Sequence, residues 1–131
     1  MATMLAEVAR EKRTWGDRSL LKWLSNPSRQ RYEAHVHCPE VTFLGRRTQP
    51  DFASVDVTMY PGEKVIELKS LKRYLFSFRE VLMSYERFVN VLYEDLIETY
   101  EPQRLIVEIH LCPRGGIRSR LKIDSDWRPG A

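Results

Sequence analysis

Glu67, Lys69 and Lys72 stand within six residues of one another, where an extended segment gives way to helical spacing. Two cations beside a carboxylate, with the free amides of a helix's first turn, make a natural seat for phosphate. The same three residues equally describe a solvated helix end with an intrahelical ion pair. Asp51, directly after Pro50, is either a loop cap or an acid–base group. Arg46 and Arg47 just before it can bind an anion, lower the pKa of a neighbouring group, or simply be solvated.

Other reactive types read more plainly. His35, His37 and His110 alternate with apolar neighbours at strand spacing, which describes a solvated sheet face rather than a metal site. Cys38 falls at a strand end on the inward side and Cys112 beside Pro113, and both read as structural. Two cysteines make neither a disulfide framework nor a metal quartet, so a reducing cytoplasm is expected. The net charge of +3 suits an anionic small molecule and does not call for a nucleic-acid groove. No apolar run reaches the length of a membrane span, and the N-terminus lacks a signal-peptide pattern.

The elements that must carry these residues follow from periodicity. Residues 1–14 form a charge-mixed lead-in, and 1–30 as a whole read as an N-terminal extension to a domain over 31–131. Ser19 to Leu24 suggests a short helix, stopped by the turn at Ser25-Asn26-Pro27-Ser28. From Arg31 to Cys38 the period is two, with Tyr32, Ala34, Val36 and Cys38 on one side. Pro39 to Phe52 reads as a long loop, and Ala53 to Tyr60 as a second strand with Val55, Val57 and Met59 inward.

Leu68, Leu71, Leu75 and Phe78 predict the inward face of a first helix, spanning 67–80. Ser84 caps a second, reaching Tyr100, with Phe88, Leu92, Leu96 and Tyr100 in phase. Two more strands, Leu105 to Leu111 and Ile117 to Ile123, flank the turn Pro113-Arg114-Gly115-Gly116. The order strand, strand, helix, helix, strand, strand predicts an α+β fold, a four-stranded antiparallel sheet with two helices on one face. Two open sheet edges predict edge-to-edge pairing of subunits into a barrel, with sites at subunit boundaries.

The run Glu67-Leu-Lys-Ser-Leu-Lys-Arg-Tyr-Leu-Phe-Ser-Phe-Arg79 resembles the signature of the 7-cyano-7-deazaguanine reductases. Three further pieces fit in order: Cys38-Pro39-Glu40 with Thr42, Gln49-Pro50-Asp51-Phe52, and Pro113-Arg114-Gly115-Gly116-Ile117. The resemblance covers roughly residues 17–118. It implies the tunnelling fold and reduction of a nitrile to an aminomethyl group with two NADPH, on a deazaguanine destined for transfer RNA in queuosine biosynthesis. It implies no membrane and no direct nucleic-acid partner.

The roles it implies carry over residue by residue. Asp51 matches the acid–base aspartate, and Glu86 the glutamate that holds the guanidine-like edge of the heterocycle. Tyr85, beside Glu86 in the substrate pocket, stands where the family has a histidine. Glu67, Lys69 and Lys72 match the positions associated with NADPH, and Arg114 with Gly115 a turn near the site. The family's nucleophilic cysteine lies seven residues after the first one, and seven after Cys38 is Gly45, in a loop one residue short. A thiolate is wanted there because it converts an unreactive nitrile into an activated C=N. Three expectations follow: a reductase with an unusual nucleophile or a direct route, a purine- or pterin-like binding protein without catalysis, or an acid–base enzyme with no covalent step.

Overall fold

The computed structural model describes residues 16–45 and 49–126. Alternating apolar residues build four long antiparallel strands: β2 (Ala34–Leu44), β3 (Pro50–Tyr60), β5 (Arg104–Arg114) and β6 (Ile117–Asp124), side by side in that order. One sheet face carries Phe43, Val55, Val57, Met59, Leu105, Val107 and Ile109, all essentially inaccessible, and the two helices cover it. Helix α1 (Leu68–Phe76) contributes Leu71, Tyr74 and Leu75, followed by Phe78 in the turn beyond it. Helix α2 (Tyr85–Tyr100) contributes Phe88, Leu92, Leu96 and Tyr100 at the spacing that the sequence predicts. Rings of Tyr74, Phe78, Phe88 and Phe43 pack in a continuous chain, with centroids 4.7–5.2 Å apart, that ties α1 and α2 to the sheet.

The α+β architecture of two strands, two helices and two strands stands, with four differences of detail. Ser19 to Leu24 is not a helix: a single 3-10 turn at Arg18–Leu20 leads into strand β1 (Trp23–Ser25). That strand pairs with β4 (Lys64–Ile66), a small second sheet at the entrance to α1. Most of the long loop over Pro39 to Phe52 is strand, because β2 and β3 continue in register to Leu44 and from Pro50. A proline without an N–H looks like the end of a strand, but Pro39 falls where the register shifts between Cys38 and Val41, and a bulge needs no ladder bond there.

Leu68, the fourth difference, is 62% exposed rather than inward, since the helix is only beginning and Leu71 is its first core residue. Glu67 ends the strand side of that junction as the N-cap, its carboxylate accepting the Ser70 amide proton at 2.6 Å. Residues 1–14, Arg46 and Arg47, and the tail beyond 126 lie outside the described residues.

Candidate active site

The end of the molecule that carries Asp51 and Glu86 is assembled by backbone ladders. Leu44, the last residue of β2, donates its amide to Val81 O and accepts from Met83 N, each at 3.0 Å. This short parallel bridge between Leu44 and Leu82 brings the β2–β3 hairpin against the segment that enters α2. Ser84 then starts the helix, its hydroxyl accepting from Arg87 N at 3.2 Å, so Tyr85 and Glu86 occupy the first turn at this same end. Asp51 on β3 stands opposite Phe43, whose ring stacks on Phe88 two residues past Glu86. Asp51 and Glu86, far apart in sequence, are thereby brought to one end of the sheet.

Gly45 is the tightest point. It is buried, its amide donates to Gln49 O at 2.8 Å, and a Cβ added there would come within 2.6 Å of Asp51 Oδ2. The half-buried Asp51 carboxylate therefore fills the space a side chain at position 45 would need. Neither cysteine makes up for that. Cys38 pairs with Val55, four residues along β3 from Asp51, roughly 13 Å at the rise of a strand. Burial pushes the Cys38 thiol up, with the Asp56 carboxylate adding to it, so it is a poor thiolate. Cys112 is exposed and follows Leu111, the partner of Ala53, in the next strand over.

Glu86 is exposed in the single chain, and its carbonyl accepts from Asn90 Nδ2. Tyr85, by contrast, is committed within the fold: its hydroxyl lies 2.8 Å from Ser119 Oγ on β6 and fastens the helix start to the sheet. The turn between β5 and β6 also reaches this end, where Arg114 opposes Ile117 across Gly115 and Gly116. Both glycines have positive φ, 56° and 78°, as a two-residue hairpin turn of primed type requires. Nothing lies within 4 Å of a Cβ built on Gly115, which leaves its backbone open to an approaching molecule.

The residues that resemble a cofactor signature gather elsewhere. Glu67 N donates to Lys22 O, and the same carbonyl accepts from the hydroxyl of Tyr100, the last residue of α2. Burial pushes that hydroxyl's pKa up to about 12, which keeps it a donor. Glu67 is thus at the C-terminal end of α2 and Glu86 at its N-terminal end, separated by about 21 Å of helix between Glu86 and Tyr100. The first-turn amide that looked free for a phosphate is taken by the Glu67 carboxylate, whose pKa the Ser70 backbone hydrogen bond lowers most. Lys69 and Lys72 are exposed and cationic.

Lys72, one turn further on, borders an open groove of about 420 Å³ between α1 and β2. Leu68, Leu71, Leu75 and Phe76 form its apolar wall, and Arg79 stands at its far end. The Lys72 ammonium and the Arg79 guanidinium beside an apolar groove fit a nucleotide cofactor, which presents phosphates and flat rings together. The histidine face is as solvated as expected. His35 Nε2 and His37 Nδ1 both lie 2.9 Å from Asp56 Oδ1. Sequence reasoning missed that shared carboxylate, although His35 and Asp56 sit on the outward phase of adjacent strands. Among the described residues no group of three or more candidate ligands could hold a metal ion, and no helix is long and apolar enough to cross a membrane.

The fold defines a class: an α+β domain of the tunnelling type, a four-stranded antiparallel sheet covered on one face by two helices. The crystal structure of the archaeosine synthase QueF-Like in the apo form shares this fold, with a TM-score of 0.69 over 74% of this chain and 96% of that one, at 16% identity. Residues 50–129 match the family described as QueF-like protein, and the chain belongs to that family.

Curated relatives carry the name NADPH-dependent 7-cyano-7-deazaguanine reductase. The protein of Magnetococcus marinus is 41% identical over 82% of this chain and 85% of its own. That of Prochlorococcus marinus is 34% identical over 95% and 96%. That of Bacillus subtilis is 45% identical over 66% of this chain, which spans about half of that relative's length. These names support a reductase of the queuosine-related nitrile type with NADPH as its cofactor.

Proposed function

We propose that this chain is an NADPH-dependent reductase acting on a carbon–nitrogen multiple bond carried by a 7-deazaguanine. The observation that carries this is the Leu44–Leu82 bridge, which sets the hairpin bearing Asp51 beside the segment that leads to Glu86, in a chain whose relatives are named for that chemistry. Glu86 accepts two hydrogen bonds from the amino-pyrimidinone edge of the heterocycle. Tyr85 holds the helix start that presents Glu86 and lines the substrate pocket. Asp51 delivers the proton that a nitrogen must take as it gains electrons. NADPH, held by Glu67, Lys69 and Lys72 with Arg114 and Gly115, supplies hydride.

A donor and acceptor of hydride must touch, yet Glu67 and Glu86 lie at opposite ends of α2 in one chain. A second copy that presents its cofactor end to this chain's substrate end resolves that separation. Among the described residues no strand pairs with the outer edge of β6, and the outer edge of β2 is met only at Leu44 by the bridge to Leu82; these edges are the surfaces for that pairing. We read the protein as a homo-oligomer of the cytoplasm, without membrane or direct nucleic-acid contact. A second reading, a deazapurine-binding protein without turnover, draws on one observation, the glycine at position 45.

Calorimetry with 7-cyano-7-deazaguanine and NADPH, combined with sedimentation, tests the proposal. Binding of both ligands by an oligomer is expected. A monomer of 15.5 kDa that binds neither ends it.

A further inference from the structure

We infer that Arg79, set over the ring of Phe76, reads the 2′-phosphate on the adenosine of the cofactor, and so makes this chain prefer NADPH to NADH. This rests on the reading of the chain as an NADPH-dependent enzyme and deepens it. NADP and NAD differ by that one phosphate, so a cation placed to meet it decides between them.

The end of α1 builds the pair. Leu68, Lys72 and Phe76 recur every fourth residue and form one stripe along the helix, with Lys72 about 6 Å before Phe76. The chain then keeps turning. Arg79 N donates to Phe76 O at 3.2 Å, and the Arg79 guanidinium lies 4.9 Å from the centroid of the Phe76 ring. All four residues line the open groove of about 420 Å³ between α1 and β2. Phe76 is 64% exposed, although Tyr74 and Leu75 just before it are buried, so α1 presents a flat apolar ring to the groove. Glu40 and Glu80 border the same surface, yet among the described residues neither is paired with Arg79 or Lys72. Both cations therefore keep their charge for a ligand.

The adenosine half of NADP has the matching order. It carries a diphosphate at the 5′ position of the ribose, a flat base, and a phosphate at 2′. These call for a cation, an apolar flat surface and a second cation, which Lys72, Phe76 and Arg79 supply one turn after another. A purine stacks on a ring face or on a guanidinium plane. Arginine suits the terminal phosphate because its planar fork makes two parallel N–H···O bonds, whereas a lysine acts as a point charge. NADH has a hydroxyl in place of that phosphate and leaves the Arg79 charge unmatched. Lys72 and Phe76 thus hold what the two cofactors share, and Arg79 holds what they do not.

Calorimetry on the whole chain with NADP⁺, NAD⁺, adenosine 2′,5′-bisphosphate and 5′-AMP tests this, with sedimentation of each variant beside it. The wild type should prefer NADP⁺ to NAD⁺, and the bisphosphate to AMP, by about tenfold or more, as a charge-assisted pair gives. Arg79→Gln should lose both preferences and keep its affinity for NAD⁺ and AMP, and Arg79→Lys should recover part of them. Phe76→Ala should weaken all four ligands alike, about fivefold or more. Equal losses for NADP⁺ and NAD⁺ in Arg79→Gln, or no loss, overturn the proposal and leave the cofactor reading standing. So does altered sedimentation with unchanged selectivity, which makes the pair a contact between copies. If the wild type binds neither NADP⁺ nor the bisphosphate, the functional reading above fails and carries this proposal with it.

Discussion

At one end of the sheet, Gly45, Asp51 and the start of α2 are locked by two backbone hydrogen bonds to Leu44 and by the Phe43–Phe88 stack. At the other, Glu67 caps a nine-residue helix and Lys69 and Lys72 extend into solvent. The first end has the precision that proton transfer needs, where about 1 Å of displacement can cost on the order of a hundredfold in rate. The second has charge without a fixed geometry, which suits a flexible phosphate-bearing partner better than a reacting atom.

The comparison can be broken most decisively at Gly45. Gly45→Ala forces the Asp51 carboxylate to move from 2.6 Å, and turnover should fall about a hundredfold with little change in melting temperature. Steady-state kinetics beside calorimetric melting checks this; unchanged kcat would mean that Asp51 is not positioned by the bare glycine. Glu86→Ala should weaken heterocycle binding by roughly 1.5–3 kcal/mol, the range for hydrogen bonds to a charged group, without altering NADPH affinity. Equal losses for both ligands would erase the distinction between the two ends.

A smaller effect concerns the frame between them. Tyr74 donates to Asp95 Oδ2 at 2.6 Å in the core between α1 and α2. Tyr74→Phe should cost about 1–3 kcal/mol in urea unfolding, because a buried carboxylate loses a donor.

The smallest lies at the cationic end. The folded state lowers the pKa of Glu67, chiefly through the Ser70 amide, so its contribution is complete above the ordinary glutamate pKa and is lost as pH falls through the lowered value. Glu67→Gln should therefore be slightly less stable than the wild type near neutrality, and the two proteins should converge as pH falls through the lowered value. Equal stability at neutral pH, followed by urea unfolding across the pH range, would mean that the charged cap contributes nothing.

Much of this was legible in the chain. The 2.0 period of β3 and β5 and the 3.6 period of α2 placed Val55, Val57, Leu105, Val107, Phe88 and Leu96 inward, where they are. Ser84 as a cap was equally plain. What misled was local chemistry overridden by neighbours. Pro39 looked like the start of a loop and is absorbed by a bulge, and Trp23 to Ser25 has no strand pattern of its own but pairs with β4. The site residues were legible as types and through their resemblance to a family signature, because a glutamate at a helix start and an aspartate after a proline are local facts.

By itself the sequence determined the two helices, the cores of the four long strands, most of their inward faces and the lack of a thiol at position 45, since each depends on residue identity and short-range spacing. Only the tertiary structure decided that Asp51 fills the empty space over Gly45, and that Glu67 lies a helix length from Glu86. Those are distances between segments far apart in the chain. They are set by the Leu44–Leu82 bridge, the aromatic chain and the shared carbonyl of Lys22, none of which any local pattern encodes.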